Sequence, residues 1–344
     1  MTGTTVTAPN GKPVTCLQIE NEGLQLELMD WGATWLSCLV PMKDSSHREV
    51  LLGCRNLEDW FVQKSYLNAT VGRYANRIRL AKISRNGLDY ALEANQGKHQ
   101  LHGGHGGFSN RRWTVLEESR EHVSFGMQSA DGDQGFPGNL NLRVIYRVLP
   151  GQHIQMQCTG TIDAPSPVGL TNHAYFNLNG ARSDIRRHRL QIAAARYMPV
   201  DAELIPLDGL AEVAGSSFDF RTPHRIGERF LADGQQKLAG GYDHSFLLDE
   251  ADMGKIAAVL DAEDDKLQMR LYTDSPAVQF YSGNFLAGTS ARKGGQYAAN
   301  EGLCLEPGFL PDSPNHPEWP QPDCWLEPGQ TYRQMIVWEF VAKP

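Results

Sequence analysis

Leu140-Asn141-Leu142-Arg143-Val144-Ile145-Tyr146-Arg147-Val148-Leu149-Pro150-Gly151-Gln152-His153-Ile154-Gln155-Met156-Gln157-Cys158-Thr159-Gly160-Thr161-Ile162 is the stretch on which the fold class turns. Leu140, Leu142, Val144, Tyr146 and Val148 recur at every second position, the period of a strand with one buried face. After Pro150-Gly151 the same period resumes at Ile154, Met156, Cys158 and Ile162. Two such runs about one break predict an antiparallel hairpin turning at Pro150-Gly151-Gln152.

The pattern repeats in both directions along the chain. Leu24, Leu26 and Leu28 alternate with Gln25 and Glu27, and Val123-Phe125-Met127, Leu267-Met269-Leu271 and Ile336-Trp338-Phe340 do likewise. Asn86-Gly87 lies between two more candidate strands, a dipeptide that favours the type I′ turn matching strand twist. Glycine (34) and proline (19) punctuate the whole length rather than one linker. Helical signals are short: an N-capped turn at Asn56-Leu57-Glu58-Asp59-Trp60-Phe61 and another turn at Ile226–Leu231. There is no βαβ rhythm, glycine-rich phosphate loop, heptad or internal repeat. The expectation is all-β: one large, mostly antiparallel β-sandwich with a few short helices, a single domain over 1–344, and long loops that carry function.

Composition narrows the function. Of 344 residues, 41% are hydrophobic and 21% charged, as in ordinary globular proteins, and a net charge of −8 argues against nucleic acid. Met1 to Val14 lacks a basic n-region and an apolar core, so no export signal is expected there, and no run of eighteen apolar residues predicts a membrane span. Cysteines at 16, 38, 54, 158, 304 and 324 have no C-x-x-C spacing. They are expected as free thiols of a cytoplasmic protein, neither zinc ligands nor a disulfide framework.

Five constellations break the strand background. Thr171-Asn172-His173-Ala174-Tyr175-Phe176-Asn177-Leu178 sets an imidazole, two amides and two aromatic rings in a segment that otherwise reads as strand. Such groups donate, accept and shuttle protons beside flat apolar faces, which suits a sugar; one histidine alone reads equally as a core residue. Val71-Gly72-Arg73-Tyr74-Ala75-Asn76-Arg77-Ile78 offers the Arg77 fork and the Asn76 amide to hydroxyls, or else a solvated strand edge. In His99-Gln100-Leu101-His102-Gly103-Gly104-His105, imidazoles without carboxylate or thiolate make a poor metal set. His102 reads better as a glycine-framed residue that lets a ligand approach the backbone, with His99 and His105 at the surface. Asp243, in Tyr242-Asp243-His244, either accepts from two hydroxyls or caps a turn. Glu306 ends an apolar run before Pro307-Gly308, placing a carboxylate either at the mouth of the sandwich, where partial desolvation makes it a base near neutral pH, or at a strand end facing water. No G-x-S-x-G elbow occurs.

With these residues collected, the chain resembles the aldose 1-epimerase (galactose mutarotase) family from about Asp30-Trp31-Gly32-Ala33-Thr34 to Trp338. The carrying motifs are Gly72-Arg73-Tyr74-Ala75-Asn76-Arg77-Ile78, Leu101-His102-Gly103-Gly104, Asp131-Gly132-Asp133-Gln134-Gly135-Phe136-Pro137-Gly138, Asn172–Leu178, Tyr242-Asp243-His244, and Leu305-Glu306 followed by Pro311-Asp312-Ser313-Pro314-Asn315-His316-Pro317. The resemblance implies a β-supersandwich with no metal and no organic cofactor. It implies Glu306 as general base, His173 as general acid, and Asn76, Arg77, His102, Tyr175, Asp243 and Gln279 as sugar-binding residues. Many relatives carry Gln or Glu two residues after the base, where this chain has Pro307-Gly308; proline holds Glu306 in extended backbone.

The implied activity interconverts the α and β anomers of a free hexose such as galactose or glucose. Glu306 takes the C1-hydroxyl proton while His173 protonates the ring oxygen, so the carboxyl is expected as carboxylate and the imidazole as imidazolium, kept charged by Asp243 or Glu306. Two other readings are a hexose-6-phosphate epimerase using Arg73, Arg77 and Arg79 on a phosphate, and a non-catalytic sugar sensor. A glycosidase would need two carboxylates across the bond. The expected partner is a small molecule, a free aldohexose, with no nucleic acid and no membrane, bound by a monomer or weak homodimer.

Overall fold

The structure, a computed structural model, describes residues 6–180 and 183–344. The segment Met1 to Val14 discussed above begins outside those residues. The hairpin forms where its period places it: Leu140–Leu149 pairs with His153–Ile162, Leu140 opposite Ile162 and Leu149 opposite His153. Gly151 and Gln152 close it at φ of 76° and 65°.

This hairpin is part of a nine-stranded antiparallel sheet. Outward from one side stand His122–Ser129 and Thr114–Glu118; on the other come Tyr332–Ala342, Leu267–Thr273, Ala258–Asp261, Arg189–Ile192 and His224–Arg225. The late strand Tyr332–Ala342 fills the middle, setting Ile336 against Met156 and Trp338 against Leu271. Four strands, Cys16–Asn21, Leu24–Met29, Thr34–Pro41 and His47–Glu49, make a second sheet. Five more make a third, in the order Ala211–Glu212, Arg196–Tyr197, Asp243–Leu247, Ala277–Tyr281 and Cys304–Gly308.

The inward residues of all three sheets share one core, with Leu26 and Trp35 from the second sheet, Val144 and Trp338 from the first, and Phe246 and Phe280 from the third. Trp35 is fully buried and meets Trp338 edge-on at 4.7 Å between ring centres and Tyr146 at 5.7 Å, the T-shaped geometry that aromatic quadrupoles favour. The expected antiparallel β-sandwich is the observed architecture. Asn86 and Gly87 turn at φ of 52° and 78° between Lys82–Arg85 and Leu88–Ala91. Asn56 caps the helix Leu57–Val62 through the Asp59 amide.

Two local expectations are corrected. Only Thr171–Asn172 of the Thr171–Leu178 segment is strand, paired to Thr70–Val71. From His173 onward the backbone bonds to a loop: the His173 carbonyl accepts from the Asn68 amide, and the Tyr175 amide donates to Asn68 Oδ1. All eight residues are buried, so no exposed face alternates. Ile226–Arg229 is a 3₁₀ turn; the α-helix lies beyond it at Gly234–Ala239, capped by Asp233 and stopped by Gly240 at φ 68°.

Candidate active site

The third sheet brings distant residues to one face. Asp243, Tyr281 and Cys304 are register partners across three strands, and Ser245, Gln279 and Glu306 form the next same-face row. The opposite face, with Phe246, Phe280 and Leu305, belongs to the core. Cys304–Gly308 is the edge strand of its sheet, where Pro307 leaves no ladder donor missing.

Loops from the rest of the chain close over this face and enclose a cavity of about 190 Å³, lined by all eight residues that the sequence nominates. On its walls are Asn76, Arg77 and His102 from one side, His173 and Tyr175 from another, and Asp243, Gln279 and Glu306 from the sheet. His173 Nε2 lies 3.8 Å from Glu306 Oε1, both side chains less than a tenth exposed. His173 Nδ1 lies 3.4 Å from the Cys304 sulfur. The Tyr175 ring stacks on His173 at 5.1 Å, and its hydroxyl donates to the Ser65 carbonyl at 3.0 Å, so it braces the imidazole.

Around the pair sits a polar frame. Gln279 Nε2 donates to Asp243 Oδ1 at 2.7 Å, Arg77 Nη2 stands 3.5 Å from Asp243 Oδ2, and Arg77 Nε donates to Gln96 Oε1 at 2.8 Å. Gln279 Oε1 is buried and has no partner among the described residues. A buried unpaired acceptor on a cavity wall is a place for a ligand hydroxyl. His102 Nδ1 accepts from the Asn76 amide at 3.1 Å, which leaves its hydrogen on Nε2 as a donor.

That tautomer also decides the metal question. His102, His173 and Glu306 bring one ligand atom each within 4.8 Å of one another. A nitrogen carrying hydrogen has no lone pair for a cation, so the set suits a hydroxyl-bearing ligand better than a metal.

The electrostatics differ from expectation. Burial, with a further push from Asp243, raises the Glu306 carboxyl well above its ordinary value against the pull of Arg77. Burial lowers His173 to about 4; a hydrogen bond to its own backbone and then Asp243 pull it upward, but more weakly than desolvation pushes down. The imidazolium is therefore not held charged by its protein neighbours alone. Burial, then His173 and Arg77, push His102 well below the usual imidazole range.

A family model described as aldose 1-epimerase matches residues 15–338. The chain is 50% identical to an aldose 1-epimerase of Escherichia coli K12 over 338 residues, 98% of each chain, and 36% identical to galactose mutarotase of Rattus norvegicus over 96% of this chain and 95% of that one. This chain belongs to the aldose 1-epimerase family. Solved structures agree. An aldose epimerase homologue from C. elegans superposes with a TM-score of 0.86 at 29% identity over 96% of this chain and all of the other. A galactose 1-epimerase from Lactobacillus acidophilus also gives 0.86, at 27% identity over 99% and 98%.

In this member of the aldose 1-epimerase family some readings change. His99 is buried, not superficial: its Nδ1 accepts from the Leu80 amide at 2.9 Å. His105 is exposed as expected. The glycines beside His102 serve protein packing rather than ligand approach, since a Cβ on Gly103 would stand 2.0 Å from the Gly72 carbonyl. Arg73 is no phosphate ligand: its guanidinium is buried against the Pro137, Gly138, Ser129 and Ala130 carbonyls. Tyr66, Gln96, Tyr281 and Phe285 line the cavity without having been nominated. Tyr66, whose ring centre is 4.6 Å from that of His102, follows a polar stretch with no periodic or motif signal.

Proposed function

We propose that this protein interconverts the α and β anomers of free aldohexoses such as galactose and glucose, by acid–base opening and closing of the pyranose ring. One observation carries the reading: a buried carboxyl and a buried imidazole face each other at 3.8 Å on the wall of a sugar-sized cavity. Glu306 removes the C1-hydroxyl proton as His173 gives one to the ring oxygen; rotation about C1–C2 exposes the other face of the aldehyde, and the transfers reverse. Each proton transfer contributes about 10²–10⁴-fold.

The pair carries one proton throughout. Carboxylic acid plus neutral imidazole and carboxylate plus imidazolium carry the same number of protons, differing by one proton shift, and burial favours the neutral form. A sugar placed with O1 toward Glu306 and the ring oxygen toward His173 bridges the two groups and draws the charged form. The pH profile is then bell-shaped: double protonation removes the base at low pH, and loss of the shared proton removes the acid at high pH.

Asp243 and Gln279 Oε1 accept from sugar hydroxyls, while Arg77, His102 Nε2 and Asn76 donate. Tyr66 and Phe285 offer aromatic faces to the ring's C–H side. A hexose 6-phosphate is the poorer fit, because Arg73 is consumed inside the protein and Arg77 is already bonded to Gln96 and faces Asp243. The test is polarimetry of freshly dissolved α-D-galactose, α-D-glucose and glucose 6-phosphate. Acceleration of the free hexoses well above that of the phosphate is expected; saturable binding without acceleration would make the protein a sensor instead.

A further inference from the structure

The acid–base reading uses one nitrogen of His173, and the other has a partner with no role in it. Nδ1 lies 3.4 Å from the Cys304 sulfur, the side-chain atom within hydrogen-bond reach of it among the described residues. Cys304 is fully buried and is not part of the cavity wall, so it meets the imidazole without meeting the ligand. Its strand register fixes it there: Cys304 stands opposite Tyr281, two residues before Glu306 on the same face.

We propose that Cys304 is a positioning residue for His173, whose sulfur accepts the Nδ1–H and so keeps the Nε2 lone pair available to exchange a proton with the sugar ring oxygen. The inference rests on the acid–base reading above. In ring opening the Nε2–H bond breaks and an O5–H bond forms; the imidazolium becomes a neutral imidazole that still carries hydrogen on Nδ1. That hydrogen needs an acceptor in both states, because a buried N–H without one is costly. If Nδ1 lost it, the neutral ring would hold its proton on Nε2 and could not take one back on closure.

The choice of sulfur has a chemical sense. A carboxylate at Nδ1 would hold the imidazolium and make it a reluctant donor, whereas a thiol is uncharged and a weak acceptor. Burial, then Glu306 and Asp243, push the Cys304 thiol well above its ordinary value, so the group stays S–H. The other groups facing His173 are Glu306 at Nε2, the rings of Tyr175, Tyr281, Tyr66 and His102, and the charges of Asp243 and Arg77 on the same cavity. Among these, Glu306 is the group within reach of a ring nitrogen, and it is at Nε2.

The experiment measures kcat, KM and the pH profile of α-D-galactose mutarotation for the wild type, Cys304→Ala and Cys304→Ser, with folding checked by circular dichroism. Cys304→Ala should lower kcat about 5- to 150-fold, the range for one orphaned buried donor, leave KM within about twofold, and move the alkaline limb to lower pH because the imidazolium loses its acceptor. Cys304→Ser keeps an acceptor and should recover most of the rate and the position of that limb. Should the alanine variant not fold, Cys304→Val fills the volume without an acceptor and takes its place. Wild-type kcat with an unmoved limb in the alanine or valine variant overturns the inference, as does a serine variant equally impaired. No acceleration by the wild type overturns both this inference and the acid–base reading; an active wild type with an indifferent alanine variant overturns this inference alone.

Discussion

Exchanging either member of the buried Arg77–Asp243 pair should slide the pH profile of turnover in opposite directions. Both residues line the cavity that holds His173 and Glu306, and a cavity of about 190 Å³ is roughly 7 Å across if taken as a sphere. At an effective dielectric constant of about 20, a unit charge at about 7 Å is worth about 2 kcal/mol, or between one and two pK units. Burial dominates both shifts, and on top of it Asp243 raises Glu306 and His173 while Arg77 lowers them. Removing the cation with Arg77→Met therefore moves both limbs of the bell toward alkaline pH by about one to two units. Removing the anion with Asp243→Asn moves both toward acid by a similar amount.

The assay is initial-rate polarimetry on α-D-galactose across pH, extrapolated to zero buffer because buffers also catalyse the reaction. Breaking the pair leaves one buried charge uncompensated, at a cost of about 3–5 kcal/mol in stability, so the folded fraction of each variant is measured alongside. Loss of rate with neither profile moved, or both moved the same way, would refute the electrostatic account of the site.

Other consequences are as direct. Asn68 donates to the Trp35 and Leu52 carbonyls and accepts the Tyr175 amide, at φ 53°, so Asn68→Ala should cost about 3–5 kcal/mol in urea denaturation and lower kcat by displacing His173. An unchanged midpoint would remove Asn68 as the prop of that segment. His188 is fully buried with Nε2 accepting from the Leu178 amide, and burial lowers it to about 4. Between about pH 6.5 and 4 the unfolded chain binds the extra proton, so stability present above that window falls by up to about 3 kcal/mol on acidification. His188→Gln keeps an acceptor and should flatten the pH dependence of the unfolding midpoint; an equal slope in both proteins contradicts this.

The parts of the molecule legible in the sequence are those governed by local chemistry. Leu140–Ile162 is a hairpin because its period and turn agree, and Asn56 and Asn86-Gly87 do what short polar side chains and positive φ dictate. The helix after Asp233 has local signals as clear as those of the one after Asn56, an Asp cap and Gly240 as its stop. The eight site residues stand out in the sequence as chemistry-bearing groups on a family pattern, not as neighbours. Their convergence depends on strand order, which sets Gln279 between Ser245 and Glu306, and no local signal encodes that. The protonation of His173 is hidden for a related reason: the acidic neighbour is visible in the sequence, whereas the depth of burial that outweighs it is not. Asn68, Gln96 and Cys304 act by holding other groups, and such residues look ordinary until the groups they hold are placed.

The proposed function rests on Glu306 and His173 together carrying the proton transfers of anomer exchange. The most direct measurement is the polarimetric decay of freshly dissolved α-D-galactose with the wild type, Glu306→Gln and His173→Asn. Acceleration by the wild type and a loss of at least about 10²-fold in each folded variant is the predicted result. Near-normal rates in either variant would contradict it.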